Sequence, residues 1–538
     1  MSHGDGCCRV CIAGLYSCHW KQARDNQRRH AFCWFSFVSV VSIISLSWMY
    51  ICLVTYNDQD DVNWQGFTVL KLWVNWFMVL IIISAVFTSY CVLLLLFALI
   101  QFALQEPLDL HWLHKIFLFF GVILIALGVA GISHKWQREW PTVPLSLRAT
   151  GPFLQFGAVG ALTLLSPFIF KGFHTAKEKW SKLLIAVVFV AVSTAIFLCP
   201  LYIQTQCPCL LGHDLPEKPK LIGHRGEPML APENTMMSFE RSIECGVTAF
   251  ETDVQLSQDR VPFLMHDDKP GFLQRTTNVE EKFPEKVLNH SSDFTWEELQ
   301  SLNAGEWFLN TDPFLTVSSL SQEERETARN QTVPSLLQLL ILAKKSNTSV
   351  IFDLYGSSNE NDTEDIVNTI LSSGINPNLV LWGPPAKREY VKKTAPGFIQ
   401  VYNDSEMLRR KKGNFLNVKY SFSLDEIRKQ RSMNVTVNLW VVNERWLFSL
   451  LWCAGVSSVT TNSCHVLRDM EQPDLVMAPQ TYKIIWIIVD IASIAIMAGL
   501  YILQWRTRRS SHRKGKHQQK NNTPPWNDKE NSPFLPTG

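Results

Sequence analysis

Six long apolar runs set the first limit on what this chain can become: roughly Cys33–Thr55, Trp76–Leu104, Lys115–Ile132, Thr150–Phe170, Leu183–Ile203 and Tyr482–Leu503. About 20 apolar residues cross a bilayer as a helix, because a helix satisfies every backbone N–H and C=O within the segment. The runs read as six membrane spans, with buried core helices as the weaker alternative. They divide the chain into a leader (1–32), five spans (33–203), a large polar segment (204–480), a sixth span (482–503) and a basic tail (504–538) whose Asn- and Pro-rich end has a disordered composition.

Charge orients the spans. Lys21, Arg24, Arg28 and Arg29 precede the first, Lys171, Lys177, Lys179 and Lys182 lie between the fourth and fifth, and Arg506, Arg508, Arg509, Arg513, Lys514 and Lys516 follow the sixth. With six spans all three groups share one side, which the positive-inside rule makes cytosolic. The acidic loop of Asp58, Asp60 and Asp61 falls on the other side. This predicts a plasma-membrane protein with both termini cytosolic, the segment 204–480 extracellular, and the first run acting as a signal anchor. Glycosylation sequons at Asn289, Asn330, Asn347, Asn361, Asn403 and Asn434 all lie in that segment, which agrees with its placement outside; Asn521 lies in the tail.

Leader cysteines Cys7, Cys8, Cys11 and Cys18 suggest reversible palmitoylation, with free thiols an equal alternative. Outside, Cys207, Cys209, Cys245, Cys453 and Cys464 allow one or two disulfides of unreadable pairing. The balance of 50 Lys plus Arg against 48 Asp plus Glu gives no electrostatic argument for a nucleic-acid partner.

Within 204–480 the texture changes to β-branched runs alternating with helical periods. Strands are expected at Lys220–Gly223, Thr248–Val254, Thr348–Leu354, Asn378–Trp382, Phe398–Tyr402, Phe415–Lys419, Val435–Val442 and Ser457–Thr461. Eight strands alternating with helices over about 250 residues predict a TIM (β/α)8 barrel. An open doubly wound sheet is the alternative, but no Gly-rich dinucleotide loop follows the first strand. An aromatic-rich excursion, about 269–331, reads as an inserted subdomain near the barrel mouth.

Chemistry-bearing residues fall at expected strand ends, where a TIM barrel collects its active site. His224 and Arg225 follow the first strand, Glu251 and Asp253 end the second, His266 and Asp267 close a short hairpin, and Asp353 ends the next strand. Glu251 and Asp253, two apart on a strand, point to one face and suit a hard divalent cation, Mg2+ or Ca2+. Two histidines can divide base and acid work, and Arg225 beside Gly226 can grip a phosphoryl oxygen. As isolated patterns, Glu-x-Asp is more often a solvated strand face, and a lone histidine more often structural. Glu233, in the run Pro232–Thr235, either starts a helix or orients the site.

In order and spacing, HRG, PENT, ETDV and PFLMHD resemble the glycerophosphodiester phosphodiesterase family, and WVVN (Trp440–Asn443) and GVSSVTTN (Gly455–Asn462) are similar to its last two strands. The likeness covers about Lys218–Met470, and with its six spans the whole chain resembles the multi-pass vertebrate members. It implies a TIM barrel, a divalent cation, and cleavage of glycerophosphodiesters, such as glycerophosphoinositol or glycerophosphocholine, to a glycerol phosphate and an alcohol. It makes His224 and His266 the acid/base pair, Arg225 the phosphate ligand, and Glu251, Asp253 and Asp353 metal ligands. His266 can instead, or also, ligate the metal, and Glu233 and Trp440 are candidates for support. Three positions depart from the family pattern. Asp353-Leu354-Tyr355 replaces Glu-x-Lys and lacks the lysine's charge. Asn462 replaces aspartate, with an effect expected on packing more than chemistry. Glu227 replaces a small residue and puts unexplained negative charge near a phosphate site.

A lipid-linked substrate is the close enzymatic rival, with release of glycosylphosphatidylinositol-anchored proteins as its concrete form. A receptor or adhesion scaffold with a dead barrel, or a transporter using Asp490, is the alternative of a different class.

Overall fold

The computed structural model describes residues 28–57, 60–70, 74–103, 110–134, 139–210, 215–266, 270–287, 289–354 and 361–521, with the single positions 16, 72 and 137. Cys7, Cys8, Cys11, Cys18, Asp267, Tyr355 and the end of the tail lie outside these residues. The chain divides into two units, residues 1–149 with 213–476 and residues 150–212 with 477–538.

The first unit holds the sheet: β1 (Lys220–His224), β2 (Ala249–Leu256), β3 (Pro262–Leu264), β4 (Ser349–Leu354), β5 (Val380–Trp382), β6 (Ile399–Tyr402), β7 (Phe415–Lys419), β8 (Thr436–Trp440) and β9 (Ser458–Thr461). All strands except β3 run parallel, and β1 pairs with both β2 and β9, so the ring closes and the open-sheet alternative is excluded. β3 pairs antiparallel to β2 outside the ring, which carries β2 past Asp253 to Leu256. Side-chain alternation separates greasy wall from chemistry. Ala249 and Ile351 belong to an apolar cluster with Ile222, Leu381 and Val401, while two and four residues further along the same faces stand Glu251, Asp253 and Asp353.

The excursion after β3 folds as helices Pro270–Thr276, Val279–Lys282, Trp296–Ser301, Glu306–Thr311 and Gln322–Arg329. Phe272, Leu273, Val279, Phe294, Leu299 and Leu302 bury against Phe263 and Met265, giving the insertion a core continuous with the hairpin. Cys245 and Cys464 form a disulfide, one of the one or two that the five outer cysteines allow. Of the sequon asparagines between 204 and 480, all are exposed except Asn289, which is half-buried.

The same unit contains apolar helices Arg28–Val54, Trp76–Ala103 and Trp112–His134. Small residues let them approach: a Cβ on Gly128 would lie 2.4 Å from the Trp48 ring, and Trp48 donates its indole N–H to Ser84 Oγ at 3.0 Å. Their ends meet the C-terminal rim of the barrel. Asn57 bonds the loop after β8, Glu139 bonds Lys419 at 2.9 Å and the Tyr420 hydroxyl at 2.6 Å after β7, and Trp64 lies beside Phe272 of the insertion.

In the second unit, the helices Lys179–Gln206 and Pro479–Asn521 accompany the remainder of Thr142–Thr175. Six helices in all are long and apolar enough to cross a membrane. Many of their large apolar side chains face outward, Leu127 at 67 %, Leu184 at 64 % and Ile491 at 63 % exposure, as lipid rather than water would require. Asp490 accepts the Trp486 indole N–H at 2.6 Å, a packing bond within one helix. The basic part of the tail continues the last helix as far as Asn521, since Arg, Lys and Gln propagate an already nucleated helix, and the Asn- and Pro-rich end lies outside the described residues.

Candidate active site

Strand register assembles the site. β1 and β2 pair His224 with Glu251, and β2 and β4 pair Asp253 with Asp353, so residues far apart in sequence become lateral neighbours at one rim. Ligand oxygens of Glu251, Asp253 and Asp353 lie within 4.8 Å of one another, and His224 Nε2 stands 3.8 Å from the Glu251 carboxylate. His266, directly after β3, is half-buried with its ring 5.4 Å from Phe272 and is not a member of that carboxylate cluster.

The turn after β1 is built for close approach. Arg225 has φ 55° and Gly226 φ 90°; a Cβ on Gly226 would sit 2.4 Å from Ser238 Oγ and 2.6 Å from backbone carbon, so only glycine fits. The Arg225 N–H donates to the Glu251 carboxylate at 3.2 Å. Its guanidinium, 5 % exposed, lies 3.3 Å from Asp253 and 3.4 Å from Glu233. The side chain expected to grip phosphate thus also organises two acids.

Glu233 precedes the helix Met236–Glu244, which Thr235 caps, and turns its carboxylate to Arg225. Its second oxygen accepts from Arg275 at 2.8 Å. Arg275, buried under Phe272 and Trp307, comes from the insertion and has no sequence motif to announce it. Asn234 is a second participant that the motif reading passed over: its Nδ2 donates to Asp253 at 3.1 Å while its Oδ1 accepts from Thr252 at 3.0 Å. Trp440 ends β8 with an exposed side chain.

The departures from the family pattern acquire physical meanings. Asn462, expected to affect packing more than chemistry, has its Oδ1 2.5 Å from Nδ1 of the candidate base His224. As acceptor it fixes Nδ1 as the protonated nitrogen and leaves the Nε2 lone pair facing Glu251. Burial first, then the Arg225 charge, push His224 down to about 3, so the imidazole is neutral at pH 7. Glu227 turns away from the site, accepting Cys464 N–H at 3.0 Å and bonding His465 Nδ1 at 2.5 Å. Its charge braces the disulfide end of the β9 loop.

The residues present fit a divalent cation. Four carboxylates, Glu233, Glu251, Asp253 and Asp353, meet two guanidiniums, with Arg225 beside Glu233 and Asp253 and Arg275 beside Glu233; Glu251 and Asp253 are buried and Asp353 is exposed at the rim. Burial followed by the charges of Asp253 and Asp353 hold Glu251 well above the carboxylate range; burial, opposed by Arg225, pushes Asp253 up to about 7. Hard oxygen donors under such mutual repulsion are what a divalent cation relieves.

A neutral imidazole beside such a cluster can take a proton from an attacking hydroxyl, which is the chemistry of a hydrolase. Residues 224–375 and 436–463 match the glycerophosphoryl diester phosphodiesterase family. Mouse glycerophosphoinositol inositolphosphodiesterase GDPD2 is 41 % identical over 517 residues, covering 94 % of this chain and 95 % of its own. Human glycerophosphodiester phosphodiesterase domain-containing protein 5 is 39 % identical over 516 residues, covering 93 % and 84 %. An Oleispira antarctica phosphodiesterase solved with sn-glycerol-3-phosphate aligns with 46 % of this chain and 95 % of its own at 22 % identity and a TM-score of 0.38. The chain belongs to the glycerophosphodiester phosphodiesterase family and is a phosphoric diester hydrolase.

Proposed function

We propose that the protein hydrolyses glycerophosphodiesters at the outer face of the plasma membrane, with glycerophosphoinositol the first substrate to test and glycerophosphocholine the second. The adjacency of neutral His224 to the carboxylate triad carries this reading. Glu251, Asp253 and Asp353 would hold Ca2+ or Mg2+, which when bound draws charge from the phosphoryl oxygens. His224 Nε2 takes the proton of the nucleophile, either the glycerol 2-hydroxyl or water. As the new P–O bond forms and the old one breaks, His266 protonates the departing alcohol oxygen. Arg225, fixed by Glu233 and Asp253, presents positive charge to the phosphodiester.

Exposed sequons in the barrel and basic flanks of the spans support an extracellular site with cytosolic termini. A lipid-linked diester, including a glycosylphosphatidylinositol anchor, is favoured as a second reading by the helix ends that meet the catalytic rim. Purified full-length protein should release product from glycerophosphoinositol, lose activity with chelator, and regain it with Ca2+ or Mg2+. His224→Ala should cost about 100-fold or more in turnover; unchanged turnover with normal surface expression overturns the assignment. Anchored protein appearing in the medium would select the second reading, and unaltered gel mobility after peptide glycosidase would overturn the topology.

A further inference from the structure

The end of the first apolar helix meets the loop that follows β8. A short 3-10 turn, Thr55–Asn57, closes it, and Asn57 is 1 % exposed despite being polar. Burial of an amide is tolerated only when its hydrogen bonds are made. Asn57 Nδ2 donates to Val441 O at 2.8 Å, its Oδ1 accepts Asn443 N–H at 2.8 Å, and its backbone carbonyl accepts Asn443 Nδ2 at 2.7 Å. The reciprocal pair fixes which way the Asn443 amide points. Asn443 Oδ1 therefore faces β9, where it accepts Asn462 N–H at 2.8 Å, and Asn462 Oδ1 meets His224 Nδ1.

We propose that Asn57 is a positioning residue for catalysis: through Asn443 and Asn462 it sets the ring of His224, making the first membrane helix a working part of the active site. Asn57 touches neither substrate nor reacting atoms. It acts by holding the Val441–Glu444 loop, and so the β9 end, at the distance at which the imidazole can reach the nucleophile. This rests on His224 acting as the base in the reaction proposed above.

The test uses full-length protein in detergent with glycerophosphoinositol. Asn57→Ala should lower kcat about 10-fold with KM changed less than about twofold, because the ring is misplaced while the substrate pocket persists. Asn57→Asp keeps the acceptor for Asn443 N–H but sets a second oxygen against Val441 O, and should recover only part of kcat. Asn75, which donates to Pro313 O at 3.2 Å at another contact between a helix and the barrel unit, provides the control, and Asn75→Ala should leave kcat within about twofold. A double-mutant cycle discriminates further: if Asn57 acts through Asn462, the double alanine variant is no slower than Asn462→Ala alone, whereas separate roles multiply. Should Asn57→Ala fail to reach the surface, Asn57→Ser, with a shorter polar arm, takes its place with the same expected split. An unchanged kcat in a folded Asn57 variant, an equal loss in Asn75→Ala, or multiplying losses overturns the proposal. Activity surviving in His224→Ala would instead overturn the reading of the base.

Discussion

Replacing Asp253 by asparagine should stabilise the metal-free protein at alkaline pH while destroying its response to metal. Asp253 is 1 % exposed and titrates in the fold at about 7 against an ordinary 3.8. Between those two values the folded chain binds more protons than the unfolded chain, so stability falls as pH rises through that window and stays low above it. At pH 8 the ionised group costs about 4 kcal/mol relative to its ordinary state. Asparagine removes that cost, in which the attraction of Arg225 is already contained, but brings a buried amide NH2 that needs an acceptor, for which about 1–3 kcal/mol is returned. The net gain of about 1–3 kcal/mol corresponds to several degrees of melting temperature at roughly 2–4 °C per kcal/mol. The assay follows thermal unfolding of the full chain in detergent, with chelator or with Ca2+, at pH 8 and pH 5.5. The variant should melt higher than wild type in chelator at pH 8, the gap should shrink at pH 5.5, and only wild type should gain from Ca2+. Comparing the two proteins at each pH cancels His224, whose depressed value works the other way and removes stability as pH falls below 6.5. A variant that melts lower in chelator at pH 8, or that gains as much from Ca2+ as wild type, refutes the charge argument.

Asn462→Asp should raise the pH of the acidic limb of kcat/KM, since a carboxylate at Nδ1 favours the imidazolium and removes the base at higher pH; a pH–rate profile of both proteins checks it. Arg275→Met should destabilise the fold by about 3–5 kcal/mol by leaving Glu233 buried with one cation fewer, measured as a lowered melting temperature. Replacing Cys245 and Cys464 by serine opens a link spanning 219 residues and should cost about 5 kcal/mol, detectable as greater protease sensitivity under identical non-reducing conditions.

The barrel was legible because its strands are short apolar runs bounded by turn residues; every expected strand end lies within two residues of the observed one. Carboxylates at alternating positions and histidines at strand ends marked the site before any register was known. Arg275 was not legible, since its contribution depends on how the insertion packs, and helical texture names no partner. Asn462 was visible only as an odd residue: its meaning required β9 to lie beside β1. Glu227 resisted explanation for the same reason, its partners being 237 and 238 residues away. Asn57 ends an apolar span with nothing local to set it apart, and its partner Asn443 is 386 residues distant.

Closure of the ring by β9 has a consequence for biosynthesis. His224 and Asn462 are 238 residues apart, an interval of roughly 10 to 50 seconds at ordinary elongation rates of about 5–20 residues per second. During that time the ribosome has already delivered the HRG turn, the acidic triad and the insertion, yet the imidazole has no acceptor and the disulfide no second thiol. A message cut short within β9 would encode nearly every motif residue and still yield a chain without a set base. With His224 as the proposed base, catalytic competence would be conferred only at the last strand.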